Sequence, residues 1–444
     1  MEGSYSQIIY DNIFNVYLYE LKIMAIINGV FKNIALLISG TAVAQLINFC
    51  FIPLITRLYG PESYGMMGSL MAFINIMIPI ASLSFPIAIV LPKSDKTAIY
   101  IAYLSICIGL VGAGVLLIVI GGLEYLDGSF SQYPEWYILL LPFIMAFLPL
   151  QQSGQQWLIR KKQFKEIAKV SVSQALIMNG LKVIGGGILP TQIMIIYTTG
   201  AGVIFQCLQF FYRSYKKGLG IPLSKIKKNN FIRVARGYYD FPLYRTPQVL
   251  INALSQNLPI FLLGYYFDSK IVGFYVLAQT LLTAPVTLLS TSISNVYYPT
   301  IAEKFTQKKP IYNFLRKTIL GLFIVSLFIY LPCILLSGIV FKIIFGGGWI
   351  TSSIFFQWMA IYCIFWLSAR PAMDTIPPLK IQNYFLLYEV ISFLLRILSL
   401  MLGYYLYKDA IICIIMFSLT NAVTYAVLIV YILFQAKVND RKYT

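Results

Sequence analysis

The turn RLYGPESYG, residues 57–65, separates two apolar runs of the sequence, 33–54 and 66–91. A helix that crosses a lipid bilayer needs about 20 mostly apolar residues, and each run is long enough. Glycine followed by proline in the turn is typical of a sharp change of chain direction. The stretch 33–96 therefore predicts a helical hairpin built for a membrane.

Residues of this hairpin recur at a nearly constant offset in the stretch 240–304. The matched pairs are Gly65 with Gly273, Pro79 with Pro285, and Pro92 with Pro299, at offsets of 208, 206 and 207 residues. Internal repeats of this kind are common in transporters. The repeat predicts two homologous halves whose hairpins, 33–92 and 240–299, face each other across a cavity.

The composition excludes a water-soluble domain. Of the 444 residues, 59% are hydrophobic and 11% are charged, whereas soluble domains carry about 25% charged residues. The formal net charge of +18 is explained by the enrichment of Lys and Arg in the cytoplasmic loops of membrane proteins, so no nucleic acid partner is expected. The chain is predicted to be an all-α polytopic membrane protein.

The sequence indicates neither metal binding nor covalent catalysis. Its six cysteines lie far apart in apolar runs. It has no histidine, which excludes zinc sites, general bases and proton relays that depend on histidine. It also lacks a phosphate-binding glycine loop, a serine-nucleophile elbow and a zinc-protease motif. We therefore expect no catalytic residues, no metal and no cofactor, and the protein is not predicted to be an enzyme.

Twelve apolar runs predict twelve transmembrane helices in two six-helix bundles around a central cavity. The runs are 33–54, 66–91, 98–120, 136–159, 168–189, 192–212, 241–266, 272–298, 314–337, 351–371, 382–406 and 410–434. The predicted domains are an N-terminal extension (1–32), the first bundle (33–212), a basic linker (213–239), the second bundle (240–435) and a tail (436–444). Whether residues 1–23 belong to the native protein or are an upstream extension of the reading frame stays open.

The distribution of basic residues predicts that both termini are cytoplasmic. The loops on one side hold Arg57, Lys270, Lys342 and Lys408, while most of the 34 Lys and Arg residues lie in the opposite loops and the tails. The basic linker 213–239 is expected to lie against anionic headgroups, with capture of an acidic headgroup as the alternative. All the external loops are short, which disfavours a membrane glycosyltransferase or ligase with an external catalytic domain.

When the bases at the cytoplasmic ends of the spans are counted with the loops, three bases remain within predicted spans, namely Lys182, Arg245 and Arg396. Charges at membrane depth are costly and usually face a cavity or a partner, so we predict that these three bind substrate. Arg245 lies near the inner end of its span and can also reach the interface, whereas Arg396 is far from both ends. Glu389, Ser392 and Arg396 share one helix face. The Glu389 carboxylate is the candidate for ion coupling, with an internal ion pair as the alternative.

Amides and prolines inside the spans complete the predicted site. Four amides are predicted to line the substrate path, with hydrogen bonding between helices as the alternative: Gln45, Asn48, Asn252 and Gln256. Pro79 and Pro285 bend their helices at matched positions, as gating hinges would require, although most membrane prolines are static kinks.

Four short motifs together resemble the bacterial polysaccharide flippase family. They are the turn at 57–65, QWLIRKKQF at 156–164, VGFY at 272–275, and Phe345-Gly346 followed by Trp349. This family comprises the O-antigen and capsule repeat-unit translocases of the multidrug/oligosaccharidyl-lipid/polysaccharide exporter superfamily. The resemblance covers about residues 24–435, and the aromatic N-terminal extension is not part of it.

The resemblance implies a central cationic cavity, alternating access and a place in the bacterial inner membrane. The implied substrate is an undecaprenyl-pyrophosphate-linked O-antigen or capsular repeat unit, moved from the inner to the outer leaflet. Lys182, Arg245 and Arg396 would counter its pyrophosphate or its acidic sugars through charge-assisted hydrogen bonds. A proton or sodium gradient is the candidate energy source. Membrane lipids are expected partners, a polysaccharide polymerase and a chain-length regulator are further candidates, and a monomer is expected.

A multidrug/toxin exporter of the same superfamily is the principal alternative. An exporter of organic cations should have an acidic interior, whereas here bases outnumber acids in mid-span. A major-facilitator transporter would carry a Gly/Asp/Arg-rich signature between spans two and three. This chain has only PKSDKT there, at residues 92–97.

Overall fold

The computed structural model describes residues 2–127, 135–220, 228–379 and 381–441, and side chains from residue 40 onward, except at 123–138, 228 and 295. The regular secondary structure of these ranges is helical, and they contain no strand. The helices are α1 (Glu2–Ser82), α2 (Asp95–Asp127), α3 (Glu135–Arg160), α4 (Phe164–Ile188), α5 (Gln192–Ser214), α6 (Lys228–Gly237), α7 (Thr246–Tyr266), α8 (Ser269–Thr306), α9 (Tyr312–Ile344), α10 (Ile350–Leu379), α11 (Gln382–Tyr407) and α12 (Ala410–Asp440).

The turn at residues 57–65 breaks α1 at Gly60. This residue has φ 72° and ψ 175°, so the helix does not run through it. Positive φ is a conformation that glycine adopts without the steric cost that a Cβ would bring. Pro61 follows, and proline is well suited to the first turn of a new helix because its missing N–H has no helical partner there. The sequence thus places the break in the chain correctly.

The second apolar run ends earlier than predicted. It was expected to continue to residue 91, but α1 ends at Ser82, and a short 3-10 helix follows at Phe85–Val90. Leu83 and Ser84 between them have φ values of 46° and 55°. Pro86 lies in the first turn of the short helix, where it cannot donate a backbone hydrogen bond and so does not extend α1.

The described residues include nine helical segments that are long and apolar enough to cross a membrane. Gly40–Ser82 counts as one of them, although it covers parts of two predicted spans on either side of Gly60. Neither α3 nor α7 is among the nine. The all-α, multi-pass membrane class is therefore confirmed, whereas the number of twelve spans stays a prediction.

Packing divides the chain into two compact units. The first comprises Met1–Asn48, Ala81–Ile177 and Gly202–Leu243, and the second comprises Phe49–Ile80, Met178–Ala201 and Tyr244–Thr444. Two segments of the predicted first bundle thus belong to the same unit as α7 to α12. The predicted domain boundaries at 32, 212, 239 and 435 stay predictions, and part of the basic linker, residues 221–227, lies outside the described residues.

In the first unit, Arg160 ties the end of α3 to the segment before α2. Its Nη1 donates to the carbonyl oxygens of Ile89 (3.1 Å) and Pro92 (2.6 Å), and its Nε donates to Asp95 Oδ1 (3.0 Å). Nη2 donates to the carbonyl of Lys93 at 3.3 Å. All three guanidinium nitrogens are thus used by the protein itself, which marks Arg160 as a structural arginine.

In the second unit, α10 is the central helix. It packs against α8, α9 and α12, and the side chains that it buries include small ones such as Ser352, Ala360 and Cys363. Small side chains allow close approach of helices in membranes. The Ser352 hydroxyl donates to the Phe274 carbonyl across this contact at 2.7 Å. The half of α10 nearest Leu379 lies beside the cavity described next.

Candidate functional site

A cavity of about 520 Å³ lies within the second unit, in the range typical of small-molecule sites. It is lined mainly by the first half of α7, the last half of α10, the first half of α11, and Tyr425 of α12. Its polar and aromatic lining comprises Gln248, Asn252, Ser255, Gln256, Trp366, Arg370, Asp374, Gln382, Phe385, Tyr388, Glu389, Ser392, Arg396 and Tyr425. Such a lining inside membrane-spanning helices is costly unless it serves a polar ligand or water.

Arg396 is the deepest charge in this cavity along α11. It lies 14 residues after Gln382, about 21 Å at the helical rise. Its Nη1 donates to Ser255 Oγ at 2.6 Å, and its guanidinium lies 5.9 Å from the ring centre of Tyr425. Its Nε is buried, yet it makes no hydrogen bond to any described residue. The protein therefore leaves part of this guanidinium unsatisfied.

Arg370 and Asp374 also line the cavity, and the sequence analysis missed both. Arg370 Nε donates to Ser294 Oγ at 2.7 Å and lies 3.5 Å from Asp374 Oδ1. The other carboxylate oxygen, Oδ2, is buried without a hydrogen bond to a described residue. The predicted span ended at residue 371, which placed Arg370 at the span end and Asp374 beyond it, but α10 continues to Leu379. Their spacing of four residues on one helix was the signal available.

Glu389 lines the same wall of the cavity as Ser392 and Arg396. Among the described residues, no base lies within ion-pair distance of its carboxylate. Two helical turns separate it from Arg396, about 10 Å along the axis. The charged lining of the cavity is thus two arginines and two acids, so this cavity is balanced in charge rather than cationic.

Lys182 does not line this cavity. Its side chain is buried in the second unit, with 5% of the residue exposed, and its Nζ lies 3.3 Å from the Met67 sulfur. Its carbonyl accepts a hydrogen bond from the Tyr59 hydroxyl at 2.8 Å. No acidic side chain of the described residues pairs with it. The predicted substrate-binding role of Lys182 stays a prediction.

Arg245 lies at the edge of the cavity. Its side chain is exposed, just before α7, and its Nη1 donates to Gln248 Oε1 at 2.9 Å. Because Gln248 lines the cavity, the guanidinium is one hydrogen bond away from the lining.

The four predicted amides separate into two groups. Asn252 and Gln256 line the cavity. Gln45 and Asn48 belong to the first unit, so they are not part of this lining. Pro79 lies inside α1 and Pro285 inside α8, and their role as hinges stays a prediction.

The second unit also contains a tight seam between the repeated motifs. Gly65 packs so closely on α8 that a Cβ there would lie 1.8 Å from the Ser269 oxygen and 2.8 Å from the Gly273 nitrogen. A Cβ on Gly273 would lie 1.9 Å from the Pro61 oxygen. The two glycines that match in the sequence repeat thus pack on each other. Asn75 and Asn257 also approach at 3.4 Å, so these parts of the two hairpins do face each other.

Arg57 and Trp349 hold the same seam by hydrogen bonds. Arg57 Nε donates to the Ile344 carbonyl at 2.8 Å, and its Nη2 donates to the carbonyl of Ile343. These are among the last carbonyls of α9, which have no partner within the helix. Trp349 Nε1 donates to the Thr56 carbonyl at 3.3 Å, and its ring meets Tyr64 edge to face. The motif residues therefore build the seam on the side predicted to be external.

No group of three or more His, Cys, Asp or Glu side chains is arranged to hold a metal ion in the ranges that the structure describes. The charges of the candidate site belong to arginines and carboxylates, and its remaining polar groups are amides and hydroxyls. This set can make ion pairs and hydrogen bonds with a polar ligand.

A family model described as "Polysaccharide biosynthesis protein" matches residues 54–354. The chain belongs to this family. The teichuronic acid biosynthesis protein TuaB of Bacillus subtilis (strain 168) is 22% identical over 223 residues, which are 48% of this chain and 43% of that protein. The match thus spans less than half of that relative's length. The resemblance drawn from the sequence motifs is confirmed at the level of the family.

Two solved structures share the fold. One is the lipid II flippase MurJ in an inward closed conformation, with a TM-score of 0.68 and 14% identity over 91% of this chain and 87% of that one. The other is an inward-facing multidrug resistance MATE family transporter of the MOP superfamily, with a TM-score of 0.63 and 12% identity over 92% of this chain and 96% of that one. At these identities the likeness concerns the fold.

Proposed function

We propose that this protein is a flippase that moves lipid-linked saccharide repeat units from the inner to the outer leaflet of the bacterial inner membrane. The observation that carries the proposal is the cavity of amides, aromatic rings and incompletely paired charges inside the membrane-spanning second unit. The family, whose members act in polysaccharide biosynthesis, supplies the substrate class. An undecaprenyl-pyrophosphate-linked O-antigen or capsular unit fits both.

The position of the cavity suits loading from the cytoplasmic side. Its lining lies in the halves of α7, α10 and α11 nearest the loops predicted to be cytoplasmic. The seam of Gly65, Gly273 and Arg57 lies at the opposite ends of the helices. We propose that opening of this seam releases the saccharide outward, so that the two sides open alternately.

Glu389 is the proposed coupling residue, because its carboxylate lies in the cavity without an ion-pair partner among the described residues. Taking up a proton or a sodium ion there would change the charge of the cavity during each cycle. The proposed action requires no covalent step and therefore no catalytic residue. A polymerase and a chain-length regulator would act after release, and both chain termini would lie in the cytoplasm.

A multidrug exporter remains the second candidate function. It is favoured by one observation, the presence of two acids, Asp374 and Glu389, in the cavity, since carboxylates can pair with an organic cation. Under this alternative, loss of either acid would weaken drug export and surface polysaccharide would not change.

The test is complementation of a bacterial strain in which deletion of this gene removes a surface polysaccharide. Arg396→Ala should reduce the polysaccharide at least tenfold and cause lipid-linked repeat units to accumulate, at an unchanged protein level, because the loss of a charge-assisted contact costs about 1.5–3 kcal/mol. Lys342→Ala, a change at an exposed base near the end of α9, is the control and should behave as wild type. Normal polysaccharide in Arg396→Ala, with altered resistance to cationic drugs, would favour the exporter instead.

A further inference from the structure

We propose that the cavity of the second unit binds the saccharide and not the pyrophosphate of the substrate, with Arg396 paired to a carboxylate on one of the sugars. This inference rests on the proposed function and assigns parts of the substrate to parts of the site. The pyrophosphate would remain at the edge of the cavity, beside Arg245. The substrate class is therefore a lipid-linked oligosaccharide that contains an acidic sugar.

The first argument is the charge of the lining. A pyrophosphate diester is doubly negative, and a site for it should carry an excess of positive charge. Here Arg370 is already engaged by Ser294 and Asp374, and Glu389 adds a second negative charge. Arg396 is the arginine of this lining that has no acidic partner among the described residues. The guanidinium of Arg396, with the carboxylate of Glu389 in the same cavity, can pair with one negative charge on a ligand but not with two.

The second argument concerns donors and acceptors. A carboxylate only accepts hydrogen bonds, and so do the oxygens of an ionised pyrophosphate, so the two cannot satisfy each other. Asp374 Oδ2 is buried and lacks a donor among the described residues. Glu389 has a carboxylate in the same cavity. The ligand that satisfies them must carry donors of its own, and sugar hydroxyls are such donors.

The third argument is the neutral part of the lining. Gln248, Asn252, Gln256 and Gln382 each offer a donor and an acceptor, as a sugar hydroxyl does. Ser392, which is 2% exposed, adds a hydroxyl to this lining. Trp366 and Tyr425 add aromatic surfaces on which the apolar C–H faces of a sugar ring can pack. Hydroxyl groups and C–H faces together are features of a saccharide and not of a pyrophosphate.

The fourth argument is depth. Arg245 is exposed just before α7, near the predicted cytoplasmic surface, where the pyrophosphate of a lipid carrier would lie among the headgroups. Arg396 lies about 21 Å along α11 from Gln382 at the edge of the cavity. A saccharide of several rings can extend over this distance, which would carry a distal acidic sugar to Arg396.

The test measures flipping by the purified full-length protein in proteoliposomes. The two probes are short polyprenyl-pyrophosphate oligosaccharides that differ at one distal sugar, which is glucuronic acid in one and glucose in the other. The wild-type protein should prefer the glucuronic acid probe. Arg396→Gln should abolish this preference by slowing the acidic probe about tenfold more than the neutral probe, as expected for the loss of one charge-assisted hydrogen bond.

Arg245→Gln should slow both probes by the same factor, because both carry the pyrophosphate. Arg396→Lys keeps the charge and should retain part of the preference. This result would show that the lost preference of Arg396→Gln is due to the lost charge and not to misfolding. An equal loss for both probes in Arg396→Gln would overturn the assignment of Arg396, as would a changed preference in Arg245→Gln. If wild-type protein flips neither probe above protein-free vesicles, the proposed function itself fails.

Discussion

Arg160 in the first unit and Arg396 in the second show how differently a protein can use one side chain in a membrane. The guanidinium of Arg160 is saturated, since carbonyls of the 89–93 segment and the Asp95 carboxylate accept from all three of its nitrogens. Arg396 donates to Ser255, lies over Tyr425, and keeps a buried Nε without an acceptor in the described chain. Saturation by the protein marks a structural arginine, whereas unsatisfied donors in a cavity mark one that is available to a ligand.

The strongest test of this comparison is Arg160→Ala. Several carbonyl oxygens would lose their donor, which should destabilise the protein by about 2–3 kcal/mol. We expect a melting temperature several degrees lower in detergent and a reduced protein level in membranes. Arg396→Ala is the matched variant, and it should melt at or above the wild-type temperature because it removes an incompletely paired charge. Equal melting of the two variants would break the comparison.

The next test uses the seam of the second unit, where close packing rather than charge makes the contact. In Gly65→Ala the new Cβ would meet the Ser269 oxygen at 1.8 Å unless the helices separate. Overpacking of this kind costs about 1–3 kcal/mol, and it should also slow transport by holding the seam apart. Gly321→Ala on α9 is the control, since nothing lies within 4 Å of a Cβ there. Unfolding in detergent and surface polysaccharide measure the two effects, and wild-type values for both in Gly65→Ala would contradict the packing.

Lys182→Met sharpens the comparison with a third buried base. Lys182 is neither saturated nor in the cavity, and its Nζ meets the Met67 sulfur. Replacement by an apolar side chain of similar length should stabilise the protein by about 1 kcal/mol, since it removes a buried charge without an acidic partner. Thermal unfolding checks this, with exposed Lys408→Met as control. A lower melting temperature would mean that Lys182 has a stabilising partner, and transport reduced at higher stability would support its predicted role in substrate binding.

The smallest expected effect belongs to Glu389→Gln. Glutamine keeps the shape and an acceptor but cannot take up a proton or pair with sodium, so the dependence of transport on the ion gradient should weaken. The measurement is flipping in proteoliposomes with and without an imposed pH or sodium gradient. Gln248→Glu, a charge change at the edge of the same cavity, is the control. A gradient dependence equal to that of the wild type would remove Glu389 as the coupling residue.

The position of a residue along a helix could be predicted well from the sequence. Arg396 was placed far from both ends of its span, Arg245 near the inner end, and Glu389 on the face of Arg396, because the rise and the period of a helix are properties of the local chain. The repeat was equally informative, since Gly65 and Gly273 were matched by number alone and pack against each other in the structure.

The partners of these residues could not be predicted in the same way. Lys182 and Arg396 were treated alike as buried bases, yet one lies against Met67 and the other lines a cavity. Arg370 was placed at the end of a predicted span and Asp374 beyond it, although α10 continues to Leu379. Gln45 and Asn252 are 207 residues apart, which is the offset of the sequence repeat, but they belong to different units.

The sequence by itself determined the membrane class, the break at Gly60, the family motifs and the positions of Glu389 and Arg396 along their helix. Each of these depends on composition or on residues within a few positions of one another. Only the tertiary structure decided which arginine is saturated and which is open, and that the cavity is balanced in charge. The acceptors of Arg160 lie 65–71 residues away in the sequence, and Ser255 lies 141 residues from Arg396. Contacts at such separations arise from the packing of helices, which no local pattern encodes.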